Sequence, residues 1–104
     1  MNIVHYVTYK NVLRADKQQS DFINWLKTYW PIVKKWGAIS VKLWNQKERG
    51  RQILFCRYAV QNLDRWNDAA MRPAAGDLIQ ALDEIVELDQ ISIKITVPLS
   101  EQMN

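Results

Sequence analysis

The sequence has little of several residue types on which enzyme sites often depend. It contains a single cysteine, Cys56, which excludes an internal disulfide and a CxxC metal or redox motif. A chain without disulfides fits a reducing compartment, so we expect a cytoplasmic protein. His5 is the only histidine, which excludes a pair of histidine ligands for a metal ion.

Glycine is also scarce, at three residues, and none of the three belongs to a phosphate-binding loop or a nucleophile elbow. The HExxH zinc motif is missing as well, and we expect no bound cofactor. No run of about 18 apolar residues occurs, and the first residues lack the apolar core of a signal peptide. We therefore expect neither a membrane span nor a secretion signal.

The composition is that of a globular chain, with 48% hydrophobic and 24% charged residues among 104. The net charge is +3, but the basic residues are scattered and form no run typical of a nucleic-acid tail. We expect one domain at residues 1–98 and a flexible tail at residues 99–104.

Hydrophobic periodicity predicts the order strand, helix, strand, strand, helix, strand. The strands are predicted at residues 2–10, 38–44, 51–60 and 91–97, and the polar segment before Gly50 predicts a hairpin between the second and third. The helices are predicted over about 16–36 and 62–87. Pro31 is expected to kink the first helix or to make it restart, and Pro73 to interrupt the second.

This order predicts an α+β, ferredoxin-like βαββαβ fold, an antiparallel four-stranded sheet with both helices on one face. The second sheet face would carry Trp44, Ile53 and Phe55 without cover from the same chain. The simplest cover for such an apolar face is a second copy of the sheet, so we expect a homodimer through the sheet faces.

A resemblance to a known family rests on the residues from Phe22 to Leu63. They read as an aromatic-rich helix ending in P-I-V-K-K-x-G at Pro31 to Gly37, a strand ending in Trp44, and a charged hairpin. A further strand then ends in Arg57-Tyr58 before Asn62-Leu63. In these features the sequence resembles the NIPSNAP-like and EthD-like branches of the dimeric α+β barrel superfamily.

The resemblance implies a homodimer whose sheets pack face to face, with a small-molecule cleft between each sheet and its own helices. Related groups include cofactor-independent monooxygenases of antibiotic biosynthesis, small isomerases and haem-degrading enzymes. The haem-degrading relatives take an axial histidine from the second helix, and this chain has no histidine between residues 62 and 88. The resemblance thus argues against haem degradation here.

Five residues are candidates for a site: His5 as a proton acceptor, and Trp30, Arg57, Tyr58 and Trp66 as ligand-binding residues. The residues around His5 favour a hydrogen-bonded core or interface histidine as the alternative, and Trp30 and Trp66 are also consistent with plain packing. The remaining aromatic residues of the first helix, Trp25, Tyr29 and Trp36, follow its inward stripe and are predicted to be core.

Three basic residues, Lys42, Arg57 and Lys94, are predicted to project from one sheet face, because each alternates with apolar neighbours in its strand. If they converge, they could hold a carboxylate, and Arg57 is suited to bidentate capture. The alternative is ion pairing across a dimer interface.

Taken together, the sequence favours a homodimeric protein that binds a small aromatic or acidic metabolite, with cofactor-free monooxygenase or isomerase activity as the enzyme hypothesis. A non-catalytic dimerisation or regulatory domain uses the same residues and stays open. An RNA-recognition module has the same element order, but residues 51–58 lack the small residues and the first exposed aromatic of its third-strand motif. Binding of nucleic acid is therefore the least favoured alternative.

Overall fold

The computed structural model describes residues 3–71 and 75–98. Its helices and strands, in chain order, are β1 (His5–Val12), α1 (Gln19–Lys35), β2 (Ala38–Glu48), β3 (Arg51–Val60), α2 (Leu63–Ala70), α3 (Gly76–Asp83) and β4 (Ser92–Thr96). A short 3₁₀ turn, Leu88–Gln90, precedes β4. None of the described helices has the length and apolar character needed to cross a membrane.

The four strands form one antiparallel sheet in the order β2-β3-β1-β4. The two outer strands are β2 and β4, and the central strand β1 pairs with β3 along the whole length of β1, from His5 opposite Val60 to Val12 opposite Ile53. The predicted α+β, ferredoxin-like fold is confirmed.

The hairpin between β2 and β3 closes through Arg49 and Gly50. Both residues have positive φ, 51° and 76°, as a two-residue turn between twisted strands requires. Gly50 takes this conformation without steric cost, because it has no Cβ. The turn fixes the register that places Trp44 opposite Phe55 and Lys42 opposite Arg57.

Helix α1 is one element that continues through Pro31, so the predicted restart is wrong. The proline ring lies on the exposed side of the helix, while Trp25, Leu26 and Val33 are buried on the other side. Packing on both sides of the proline outweighs the loss of one backbone hydrogen bond. The helix begins with the Asp21 carboxylate accepting from the Gln18 backbone N–H at 2.8 Å.

The second predicted helix consists of two helices, α2 and α3, and α3 ends at Asp83 rather than near residue 87. Val86 instead forms an isolated β-bridge with Leu13, and the Glu87 N–H donates to the Val12 carbonyl at 2.9 Å. Pairing with the end of β1 replaces the last helical turn. The predicted interruption at Pro73 lies outside the described residues.

The main core lies between the helices and one face of the sheet. Alternation directs Val7 and Tyr9 of β1 and Leu54, Cys56 and Tyr58 of β3 toward the helices. The opposite, outer face carries every second residue of each strand, and the helices of the described residues pack against the inner face instead.

Strand β4 is less covered than its sequence suggests. Ile93 and Ile95 occupy its helix-facing side, yet their exposed fractions are 57% and 46%. Both residues line the cavity described next, so the apolar side of β4 borders an opening instead of a filled core.

Candidate ligand-binding cavity

A cavity of about 710 Å³ lies between the sheet and the helices. Its floor is formed by inward-facing residues of β1, β3 and β4, and its roof by α1, α2 and α3. The walls are mainly aliphatic and aromatic, and the lining residues in the described part of the chain include no charged side chain. A volume of this size is within the range that small-molecule sites occupy.

Trp66 of α2 is a deeply buried aromatic wall residue, with an exposed fraction of 2%. Its ring meets Tyr58 at a centroid distance of 5.0 Å and Trp36 at 5.7 Å, the latter edge-to-face. Its indole Nε1–H donates to the Tyr9 hydroxyl oxygen at 3.2 Å. The indole is therefore held by contacts in three directions.

Asn62 sets the position of α2 because its side chain caps the helix. Its carboxamide oxygen accepts from the Arg65 backbone N–H at 3.0 Å, which satisfies one of the free donors of the first turn. The Arg65 guanidinium in turn donates to the Lys35 carbonyl at the end of α1, at 2.6 Å. These contacts fix the helix that presents Trp66.

Three polar wall groups stay protonated at neutral pH. Burial raises the pKa of Tyr9, and burial together with the neighbouring Cys56 raises the pKa of Tyr58. Burial also raises the pKa of the Cys56 thiol to about 12. The cavity therefore offers hydrogen-bond donors but no thiolate or phenolate that could act as a base or nucleophile.

Two of the predicted site residues, Tyr58 and Trp66, line the cavity together. Trp30 packs against the edge of the core and does not line the cavity. His5 stands at the start of β1 opposite Val60, is not among the lining residues either, and its buried Nδ1 has no hydrogen-bond partner in the described part of the chain. The structure thus brings together only two of the five candidates.

Arg57 lies on the outer face of the sheet, opposite to its neighbour Tyr58. Its guanidinium carbon is 4.6 Å from the centroid of the Tyr6 ring and 5.9 Å from that of Trp44, within cation–π range. Trp44, with an exposed fraction of 39%, stacks almost parallel on Phe55 at 5.2 Å. The outer face therefore has a basic side chain, Arg57, in contact with aromatic rings.

The predicted row of cations is present on this outer face. Register aligns Lys94, Thr8, Arg57 and Lys42 directly across the four strands. Lys10, one position along β1 on the same face, pairs with Glu48 at 3.0 Å. Because this face is separated from the cavity by the sheet, the three cations cannot contact a ligand in the cavity.

Sequence reasoning missed two polar wall residues, Tyr9 and Asn11. Neither residue was among the predicted site candidates, and Asn11 lies beyond the predicted end of the strand at Lys10. A strand that extends to Val12 has its inward positions at Val7, Tyr9 and Asn11. A polar Asn11 at such an inward position was the signal in the sequence for a polar wall residue.

Known structures of the same fold cover nearly the whole chain. SnoaB, a cofactor-independent oxygenase from Streptomyces nogalater, superimposes with a TM-score of 0.61 at 12% identity, over 99% of this chain and 97% of its own. A putative antibiotic biosynthesis monooxygenase from Bacillus cereus gives 0.60 at 12% identity, over 98% and 99%. A dimeric protein of unknown function and ferredoxin-like fold from Bacteroides fragilis gives 0.57 at 12% identity, over 90% and 95%.

Neither a protein-family model nor a curated protein matches the chain. At identities this low, the similarity to solved structures shows the fold, and function has to be argued from the site.

Proposed function

We propose that the chain is a homodimeric, small-molecule-binding protein of the dimeric α+β barrel type that acts as a cofactor-independent monooxygenase on an uncharged aromatic substrate. The observation that carries the proposal is the cavity of about 710 Å³ with the Trp66–Tyr9 hydrogen bond in its wall. The fold shared with SnoaB over almost the full length of both chains supports the same reaction class.

The absence of charged groups from the described cavity walls supports one of the two predicted substrate classes over the other. A carboxylate moved from water into this cavity would lose its hydration without gaining a cation, which costs several kcal/mol. An aromatic ring has no such cost and gains contact with the aromatic walls. We therefore favour an aromatic substrate over an acidic one.

The wall groups also constrain the chemistry. In cofactor-free monooxygenation, a substrate methylene becomes a carbonyl while O₂ supplies that oxygen atom and leaves its second atom as water, so the substrate provides all the electrons. The buried phenols hold their protons and cannot act as bases, but the Tyr9 hydroxyl can donate to negative charge that develops on a substrate oxygen. Since the described walls supply no base, the bound substrate enters uncharged and has to release its proton to water during the reaction.

The lack of a base among the described cavity walls makes an isomerase less favoured, because isomerisation needs a group that removes and returns a proton. A purely structural dimerisation domain is less favoured as well, because it would not need an open cavity. The NIPSNAP-like or EthD-like branch remains a prediction from the residues between Phe22 and Leu63.

A native mass spectrum of the purified protein tests assembly and ligand binding together. We expect a dimer that carries or takes up an aromatic compound, followed by oxygen consumption when hydroxylated polycyclic aromatics are supplied. The variant Ala70→Phe should fill the cavity and reduce both uptake and oxygen consumption, because Ala70 lines it. Ala69→Phe on the same helix is the control, since Ala69 is not a lining residue. Dimers that take up no aromatic compound would contradict the proposal.

A further inference from the structure

Asn11 is the one buried carboxamide among the described core residues, with an exposed fraction of 2%. It lies on β1 two positions after Tyr9 and lines the cavity. A buried carboxamide in an apolar surrounding is costly unless its donors and its acceptor are all satisfied. The hydrogen bonds of Asn11 therefore show which of its polar atoms is left for a ligand.

The amide nitrogen of Asn11 is satisfied by the protein. It donates to the Leu54 carbonyl at 3.2 Å and makes a longer contact with the Tyr9 carbonyl at 3.5 Å. The reverse orientation of the carboxamide would place its oxygen against two carbonyl oxygens, so this orientation is the consistent one. Both contacts direct the nitrogen at the sheet backbone.

The carboxamide oxygen of Asn11 has no such partner. No donor among the described residues forms a hydrogen bond with this oxygen. The oxygen also differs from His5 Nδ1, which is a fully buried atom without a partner in the described residues. Since the residue is almost wholly shielded from outside solvent and lines the cavity, the oxygen is reached from the cavity. The oxygen can therefore accept a hydrogen bond from a ligand.

The Tyr9 hydroxyl supplies the complementary group. Its oxygen accepts from the Trp66 Nε1–H at 3.2 Å, and no acceptor among the described residues takes its proton. A phenol has one O–H donor, so that proton remains free for a ligand. The two side chains leave the same strand face about 7 Å apart along the strand.

We propose that Asn11 and Tyr9 determine the specificity of the cavity: Asn11 accepts from a hydroxyl or N–H donor of an uncharged ligand, and Tyr9 donates to a ligand oxygen. This inference rests on the proposed function in so far as the cavity binds a ligand. It does not depend on whether that ligand is oxidised. A ligand of the same shape without a donor leaves the Asn11 oxygen unpaired and binds more weakly.

Three naphthalene probes of similar size test the proposal by quenching of tryptophan fluorescence: 2-naphthol, 2-methoxynaphthalene and 2-naphthoate. The natural sequence should bind 2-naphthol about tenfold more tightly than 2-methoxynaphthalene, because only the naphthol can donate to Asn11. 2-Naphthoate should bind more weakly than 2-naphthol, because its charge has no cation among the described walls.

Two variants separate the roles. Asn11→Leu, of similar shape, should abolish the preference for 2-naphthol while it retains binding of 2-methoxynaphthalene. Tyr9→Phe should weaken both probes and retain their ratio, because both present an oxygen acceptor. Circular dichroism checks that each variant is folded.

The ratio of the affinities for 2-naphthol and 2-methoxynaphthalene in the unmodified protein tests the proposal even if Asn11→Leu does not fold. A ratio near one there, or an unchanged ratio in a folded Asn11→Leu, would overturn the specificity proposal alone. Failure of all three probes to bind would contradict the proposed ligand-binding function together with it.

Discussion

The Trp66 indole N–H donates to the Tyr9 hydroxyl across 3.2 Å and so joins helix α2 to strand β1 through the wall of the cavity. Each residue also touches Tyr58, Tyr9 edge-to-face at a centroid distance of 5.8 Å and Trp66 at 5.0 Å. The three rings form one unit that contributes both to stability and to the shape of the site.

Replacing Trp66 should therefore cost more stability than removing the hydrogen bond alone. Trp66→Ala empties a fully buried site and should lower the free energy of unfolding by about 3–5 kcal/mol. Tyr9→Phe retains the ring and should lower it by only about 1 kcal/mol. Urea denaturation measures both values. A loss below about 1 kcal/mol for Trp66→Ala would show that the indole is not part of the packed core.

The helix cap at Asn62 should affect both stability and the site. Asn62→Ala removes the acceptor for the Arg65 N–H and should destabilise the protein by about 1 kcal/mol, whereas Asn62→Ser retains a capping oxygen and should cost much less. Because α2 carries Trp66, the Ala variant should also bind 2-naphthol more weakly. Denaturation and fluorescence titration check the pair, and equal losses in Ala and Ser variants would contradict a capping role.

The outer face should be the dimer interface if the proposed assembly is correct. Trp44→Glu places a charge beside Phe55 in the aromatic patch of that face and should shift the protein to monomers in analytical ultracentrifugation. Ile32→Glu is the matched control, because Ile32 has a similar exposed fraction, 40%, but lies on α1. A dimer that survives Trp44→Glu would exclude this interface.

The same experiment bears on the nucleic-acid alternative. Lys42, Arg57 and Lys94 lie in one row beside Trp44 and Phe55, an arrangement that suits a single strand as well as a protein partner. We expect no binding of single-stranded RNA. A monomer that binds RNA in a salt-sensitive way, and loses that binding with Phe55→Ala, would favour the alternative.

Alkaline pH should destabilise the protein through its buried thiol. The folded state holds the Cys56 proton until about pH 12, while the unfolded chain releases it above the ordinary pKa of 9.0. The unfolded state then binds fewer protons, so stability falls as pH rises from 9 toward 12, by roughly 1 kcal/mol per pH unit from this group. Tyr9 and Tyr58, whose pKa values are also raised, add to the loss above pH 10.0.

The variant Cys56→Ala should lose stability less steeply with pH over this range, although it is less stable at pH 7. Thermal melting at pH 7, 9 and 10.5 distinguishes the two slopes. Parallel loss in both proteins would mean that the Cys56 thiol ionises as readily in the folded state as in the unfolded chain.

The sequence predicted the sheet and the first helix because their apolar periods are unambiguous. Strand alternation puts Tyr58 and Arg57 on opposite faces of the sheet, so the prediction of both as ligand-binding residues of one site conflicted with that alternation. It could not predict that α3 ends at Asp83, because that end depends on tertiary contacts. There Arg14 binds the Asp83 carboxylate at 2.9 Å and the Glu87 carboxylate at 2.8 Å, and Val86 pairs with Leu13.

The candidate site was only partly predictable for a similar reason. Trp66 and Tyr58 are aromatic at inward positions, which is visible in sequence. The empty volume beside them depends on how far the helices lie from β4, where Ile93 and Ile95 remain exposed. The role of Asn11 depends on a side-chain orientation set by the Leu54 carbonyl of another strand.

The two-residue turn at Arg49 and Gly50 implies an order of events during folding. The β2–β3 hairpin joins residues that are close along the chain and can form within microseconds, whereas Tyr6 of β1 must wait for Thr96 of β4. The cavity floor is therefore completed last, and during synthesis the edge of β1 that faces away from β3 stays unpaired until β4 has left the ribosome. A ligand that needs the finished floor would slow unfolding without accelerating folding.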